Sequence, residues 1–304
     1  MVNLSICIPS FNRYEALNEQ LEYLLKSSLN VSKISEIIFI DDGYDLNISQ
    51  SITDKYQEFS KFKYHKNLNS GSFGHVYSEC FKAASSDYVL ITNDDDILFI
   101  NGIKESFEFI SENPLCDLII PVWLSNVDRV IRGNKKLSRC IKPDEILKFT
   151  AHAPGLIYKV SIAKNFISML DRRLSINCSF SQMYPQVFIS SLLLNNSSLI
   201  CLSPTIIGKD GHGYPTEIGL KDSGSYFSLK SRVLQYYALL EIQDSKIFKK
   251  VIIESLCINF LSRIGLLQKR RILLRIFRFI TQRLLLEIFV KYKSYFGKLI
   301  KRKR

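Results

Sequence analysis

Asp87-Tyr88-Val89-Leu90-Ile91-Thr92-Asn93-Asp94-Asp95-Asp96 passes within one short stretch from an unbroken apolar run to three adjacent carboxylates. Tyr88 to Ile91 lacks the alternation of a half-exposed strand, so it reads as a parallel strand covered on both faces. In an open parallel sheet, ligands collect beyond the carboxyl ends of the strands, which is where this acidic turn falls. Three neighbouring carboxylates repel one another unless a cation or solvent compensates them, and hard oxygen ligands suit Mg²⁺ or Mn²⁺. A divalent ion held there could in turn bind a diphosphate. Taken alone, Asp94-Asp95-Asp96 also fits a solvated acidic turn.

The surrounding pattern supports the first reading. Leu4-Ser5-Ile6-Cys7-Ile8 is a first strand ended by Pro9-Ser10-Phe11-Asn12-Arg13, followed by Leu17, Leu21, Leu24 and Leu25 at helical spacing. Ile37-Ile38-Phe39-Ile40 is a second buried strand, ending in Asp41-Asp42-Gly43. Phe62-Lys63-Tyr64 predicts a short strand, Phe73 to Ala84 a helix, Gly102 to Ser111 another, and Asp117 to Pro121 a further strand. Beyond Pro121 the pattern loosens: polar turns at Arg129 to Lys136, a strand at Gly155 to Tyr158, and helices from Ser161 and over Val187 to Leu194. The expected fold class is therefore α/β, a mostly parallel sheet flanked by helices. Residues 1–225 would form that domain and residues 226–304 a helical extension. An acid ending the second strand also suits a dehydrogenase-type ribose contact, but that fold needs GxGxxG after strand one, where this chain has PSFNR. Gly71 and Gly74 follow the third strand instead, where a helix N-terminus could lie against a phosphate or ribose.

Four segments together resemble family 2 glycosyltransferases of the GT-A fold: Ser5 to Arg13, Ile40-Asp41-Asp42-Gly43, Asn69-Ser70-Gly71, and Asp87 to Asp96. The resemblance covers roughly residues 4–120 well and the rest loosely. It implies that Pro9, Phe11 and Asn12 line a nucleotide pocket and that Asp41 or Asp42 meets the base or ribose. It implies also that Asp94 and Asp96, with Asp95 beside them, hold a metal and the diphosphate of a nucleotide-sugar donor. Asn93 stands where the common Asp-x-Asp-Asp form has its first acid. Such enzymes invert the anomeric carbon in a single displacement, which calls for a general base on the acceptor hydroxyl. Relatives often place an acidic pair roughly 80 to 100 residues after the DxD element, where a helix begins; this chain reads Ser181-Gln182-Met183-Tyr184-Pro185-Gln186 there. Asp210 and His212, in a glycine-rich stretch from Gly208 to Pro215 expected to be exposed and mobile, are the base candidates, with Asp171 a weaker one. The absence of a QxxRW segment argues against a processive synthase.

The net charge of +12 is unevenly distributed. From Arg263 to Arg304 lie 14 of the 41 Lys and Arg residues and one of the 29 acids, Glu287, so the rest of the chain is close to neutral. Arg271, Arg275, Arg278 and Gln282 form one polar stripe, and Leu273, Ile276, Phe277, Ile280 and Leu284 an opposing apolar one. That pattern predicts an interfacial helix on an anionic membrane surface, the alternative being contacts with the catalytic domain's core. It disfavours a nucleic-acid binder, because phosphates offer nothing to an apolar face. A nucleotidyltransferase would need a glycine-rich basic loop after strand one. With no charged leader or spanning segment, the expected location is cytoplasmic, peripheral on the inner face of the cell membrane. The expected acceptor is a glycan or lipid-linked oligosaccharide in surface polysaccharide synthesis. The alternative is a catalytically inactive nucleotide-sugar-binding or membrane-attached basic protein. Seven cysteines without CxxC spacing read as reduced thiols.

Overall fold

Residues 2–29, 31–68, 73–142, 145–175 and 185–211 are described by the structure, a computed structural model. Four parallel strands form its first half: β1 (Leu4–Ser10), β2 (Ile34–Asp41), β3 (Phe62–Lys66) and β4 (Tyr88–Ile91). They are joined by α1 (Tyr14–Ser28), α2 (Leu46–Tyr56) and α3 (Phe73–Ala83) and lie in the order β3-β2-β1-β4. Every residue of β1 is buried, which explains its largely apolar run; Ser5 within it donates to Glu36. On α1, Leu17, Leu21, Leu24 and Leu25 are all buried against the sheet. Each such side chain stabilises the fold by about 1.5–3 kcal/mol. Asp45 caps α2 by accepting from the backbone N–H groups of Asn47 and Ile48.

The second half completes a ten-stranded mixed sheet through β5 (Ile97–Leu98), α4 (Ile100–Glu112), β6 (Cys116–Leu124), β7 (Val130–Arg132) and β8 (Arg139–Cys140). Next come α5 (Ile146–Thr150), β9 (Leu156–Lys159), α6 (Val160–Ala163), α7 (Ile167–Ser175), α8 (Pro185–Asn195) and β10 (Leu199–Lys209). Beyond β4 the order continues β9-β6-β10-β5, with β9 antiparallel to both neighbours and β10 parallel to β6. Strand order reverses between β1 and β4: their carboxyl ends flank the crevice where such sheets bind ligands.

Three features depart from the sequence expectations. β6 continues through Pro121 to Leu124, because on its β9/β7 side it bonds β9 at Leu118 and Ile119 and β7 at Trp123 and Leu124. Pro121 lies in the gap, where no ladder donor is needed. Leu199 to Lys209 is one strand, in which Pro204 sits within a break of register between Leu202 and Ile206. Gly208 and Lys209 therefore belong to this strand and not to an exposed mobile loop. A Cβ on Gly208 would stand 2.7 Å from the Trp123 ring. Finally, Cys116 and Cys201 form a disulfide across the β6–β10 pair, correcting the expectation of reduced thiols throughout. Pairing of distant strands brings together two cysteines that carry no spacing motif. The boundary at 225/226, the helical extension and the basic tail lie outside the described residues.

Candidate active site

The loop after β1 is held in shape by its neighbour after β2. Asn12 adopts φ 56, the left-handed conformation that asparagine tolerates, and its Oδ1 accepts the Tyr44 N–H at 3.0 Å. The Phe11 and Tyr44 rings meet edge to face, with centroids 5.4 Å apart. Gly43 is needed between them, since a Cβ there would lie 2.1 Å from Tyr14 Oη and 2.6 Å from Asn12 Oδ1. Pro9 and Ser10 are buried beneath, while Phe11, Asn12 and Arg13 are half-buried at the crevice. Asp41 is fully buried: Oδ1 accepts from Gly43 N–H, and Oδ2 from Tyr64 Oη and Lys66 Nζ, each at 2.9 Å. Asp42, also buried, accepts from Asn67 Nδ2 at 2.6 Å. Both acids thus brace the loop after β2 against β3 and the residue that follows it. Gly71 lies outside the described residues.

Across the crevice stands the acidic turn. Asp94 and Asp96 are buried, whereas Asp95 keeps some exposure. Arg13 spans from the end of β1 to this turn: Nη2 pairs with Asp94 Oδ1, Nε donates to Asp94 Oδ2 at 3.2 Å, and Nη1 pairs with Asp95 Oδ2 at 2.6 Å. Asp96 Oδ2 accepts the Asn93 N–H at 3.2 Å, and its backbone carbonyl accepts from Gln20 Nε2 at 3.0 Å. Burial pushes the Asp94 carboxyl up to about 6 despite Arg13. Burial, followed by repulsion from Asp95, drives Asp96 well above the usual carboxylate range. These acids are short of positive charge, and a cavity of about 170 Å³ lined by Asp94, Asp95, Asp96, Gln20, Tyr23 and Gly211 opens on them.

Among the described residues, no group of three or more His, Cys, Asp or Glu side chains converges as a ready-made metal centre. The donor chemistry nevertheless fits a hard divalent cation: Mg²⁺ is commonly held by one or two carboxylates, with substrate phosphates and water completing its shell. Asp94 and Asp96 would supply those carboxylates.

The end of β10 brings a fourth acid to this place. Asp210 N–H donates to Leu124 O, and Asp210 Oδ1 lies 2.7 Å from Trp123 Nε1 and 3.2 Å from His152 Nε2. Burial, reinforced by the Arg132 charge, lowers the His152 pKa to about 4, so the imidazole is neutral at pH 7 and donates from Nε2 to Asp210. Next to it, Gly211 lies against the acidic turn, with its hypothetical Cβ 1.6 Å from Asp95 O. The fold therefore joins Asp210 to Asp94–Asp96. His212 lies outside the described residues. Asp171 is engaged elsewhere, accepting from Ser78 Oγ at 2.6 Å and pairing with Lys82 at 2.9 Å. Arg13, Tyr44, Trp123 and His152 are the contributors to which sequence reasoning assigned no role. Of these, Arg13 alone had a signal, a base heading a helix in the same motif as Asn12.

The parallel half-sheet, its switch-point crevice and the acidic turn facing it define a GT-A glycosyltransferase. The chain belongs to glycosyl transferase family 2, whose model matches residues 5–174. It is similar to the poly(ribitol-phosphate) beta-N-acetylglucosaminyltransferase TarP of Staphylococcus aureus (strain N315), 23% identical over 255 residues, covering 83% of this chain and 74% of that one. Its fold is similar to S. aureus TarS 1–349 in complex with UDP-GlcNAc, with TM-score 0.60, 16% identity, and 90% and 77% of the two chains covered. It is also similar to GalNAc-T7 with UDP, GalNAc and Mn²⁺, with TM-score 0.51, 14% identity, and 71% and 44% covered.

Proposed function

We propose that this glycosyltransferase takes a sugar from a nucleotide-sugar donor with divalent-metal dependence and inversion, one transfer at a time. The acceptor would be a glycan or lipid-linked oligosaccharide of a surface polysaccharide. The observation carrying this reading is the under-compensated acid pair Asp94 and Asp96, facing the β1 loop across the switch point. Relatives described as bound to UDP-GlcNAc, or as acting on poly(ribitol phosphate), support the donor and acceptor classes. Bound at Asp94 and Asp96, Mn²⁺ or Mg²⁺ would neutralise charge developing on the leaving diphosphate. Phe11 and Tyr44 offer aromatic surface for the base, and Asn12 holds their loops together. Asp210 is oriented through Oδ1 by Trp123 and His152, and its Oδ2, without a partner among the described residues, would accept the acceptor hydroxyl's proton, with His212 the other candidate. In that displacement the acceptor oxygen bonds to the anomeric carbon, the bond from that carbon to phosphate oxygen breaks, and the nucleoside diphosphate departs.

The test is incubation of the full-length chain with a panel of nucleotide-sugars, with Mn²⁺, Mg²⁺ or EDTA, following nucleoside diphosphate release. Metal-dependent release from one donor is expected. Binding without turnover would favour a binding-only protein, and neither binding nor release would overturn the reading. For the membrane surface, the support is the basic amphipathic pattern of residues 263–304; among the described residues no helix is long and apolar enough to cross a membrane. Sedimentation of the full-length chain with anionic vesicles, weakening as salt is added, is expected. Failure to sediment even at low salt would refute membrane attachment.

A further inference from the structure

Arg13 precedes the first turn of α1, where the positive end of the helix dipole makes a base unfavourable. It is retained there by the acidic turn alone: among the described contacts, its guanidinium spends Nε and Nη2 on both oxygens of Asp94 and Nη1 on Asp95. A cation held by Asp94 would compete with Arg13, whose guanidinium reaches both carboxylate oxygens and would repel the ion. The Arg13 side chain is 26% exposed and stands on the rim of the crevice, so its guanidinium has solvent on one side and a long stem on which to turn. Once released, the planar fork matches a phosphate as well as it matches a carboxylate.

We propose that Arg13 is an exchangeable counter-ion. It neutralises Asp94 and Asp95 before the donor binds, yields Asp94 to the divalent cation, and turns its guanidinium to the donor diphosphate. This rests on the nucleotide-sugar reading above. It makes metal and nucleotide binding cooperative: displacing Arg13 opposes the metal alone, and the diphosphate gives the guanidinium a new partner.

The prediction is a pair of effects of opposite sign. Binding of Mn²⁺ alone, read from the free-ion electron paramagnetic resonance signal, should tighten about tenfold in full-length Arg13→Gln, the factor that one charge-assisted hydrogen bond commands. UDP binding at saturating Mn²⁺, measured by calorimetry, should weaken about tenfold in the same variant. Arg13→Lys, whose single ammonium cannot hold both Asp94 oxygens, should tighten Mn²⁺ binding by a smaller factor, and it carries the test if melting shows Arg13→Gln to be unfolded. A permanent latch between α1 and the acidic turn predicts the contrary: Mn²⁺ binding unchanged or weakened in both variants, which would overturn the proposal. Unaltered UDP affinity would also overturn it. Failure of the functional reading is distinguishable, because the unsubstituted protein would then bind no UDP with or without Mn²⁺, and the Mn²⁺-only comparison would still decide the counter-ion role.

Discussion

Glu36, near the amino end of β2, and the pair Asp94 and Asp96, beyond the carboxyl end of β4, are buried acids at opposite edges of the same parallel half-sheet, and their surroundings treat them in opposite ways. Near the amino end, Glu36 accepts from Ser5 Oγ at 2.5 Å, from Ser85 N–H at 2.7 Å and from Ser85 Oγ, and pairs with Lys63. Burial would raise its pKa, but these partners outweigh burial and hold it below the ordinary value. At the carboxyl end the balance is reversed: Asp94 stays near 6 despite Arg13, and Asp96 lies higher than its usual range with a single backbone donor described on its carboxylate. A buried acid whose partners are complete is part of the scaffold. One left short of positive charge costs stability, and such a cost persists where a ligand supplies the missing charge.

The largest test of this contrast is Asp96→Asn, which should lower transfer on the order of a thousandfold, about 4 kcal/mol of transition-state stabilisation. Its melting temperature should be held or raised, because an uncompensated charge has been removed. Wild-type activity in this variant would remove Asp96 from the site, and a large drop in melting temperature would make it a scaffold acid like Glu36. The converse substitution, Glu36→Gln, should destabilise the fold by about 2 kcal/mol while the folded fraction retains its specific activity. Denaturant unfolding and assays normalised to folded protein would measure both, and an intact melting curve would mean that the Glu36 network contributes nothing.

The smallest effect sharpens the comparison by pH. Native Asp94 keeps its proton up to about pH 6, whereas an unfolded aspartate releases it near 3.8, so the Asp94 contribution is fully present below 3.8 and shrinks as pH rises to 6. Glu36 has the opposite sign: its contribution is present above its unfolded value of 4.5 and is lost as pH falls through its lowered folded pKa. Thermal melting across pH 3–7 should therefore show a shallow fall in stability between pH 4 and 6, to which Asp94 contributes at most about 2 kcal/mol; Asp94→Asn should remove that part and leave the fall of the same sign from Asp96. Glu36→Gln should instead abolish the loss at the acid end. Three identical profiles would refute the electrostatic contrast.

Local pattern made much of this legible. The strands predicted at Leu4–Ile8, Ile37–Ile40, Phe62–Tyr64 and Tyr88–Ile91 are present, three of them longer than expected; an apolar run between polar turns has one stable use in a covered parallel sheet, whereas Phe62–Lys66 is the partly exposed edge strand. The acidic strand ends Asp41-Asp42 and Asp94-Asp95-Asp96 were legible for the same reason: parallel strands all deliver their last residues to one side. Legibility stopped where pairing became non-local. β10 was missed because Pro204 interrupts its pattern, and β6 was cut short at Pro121; each proline is tolerated by a gap in the ladder that only the neighbouring strands define.

The sequence by itself determined the class of sheet and which of its ends is acidic, since both follow from residue types a few positions apart. It did not determine which acids are satisfied. Asp41 and Asp94 look alike as strand-end aspartates, yet Asp41 meets Tyr64, Lys66 and the Gly43 N–H, while for Asp94 burial outweighs the rim guanidinium of Arg13 and the Ser10 hydroxyl. Nor did it join Asp210 to Trp123 and His152, which lie 87 and 58 positions away along the chain. The fate of a buried charge depends on the donors and cations that surround it in space, and those come from strands and loops whose adjacency is decided by tertiary pairing.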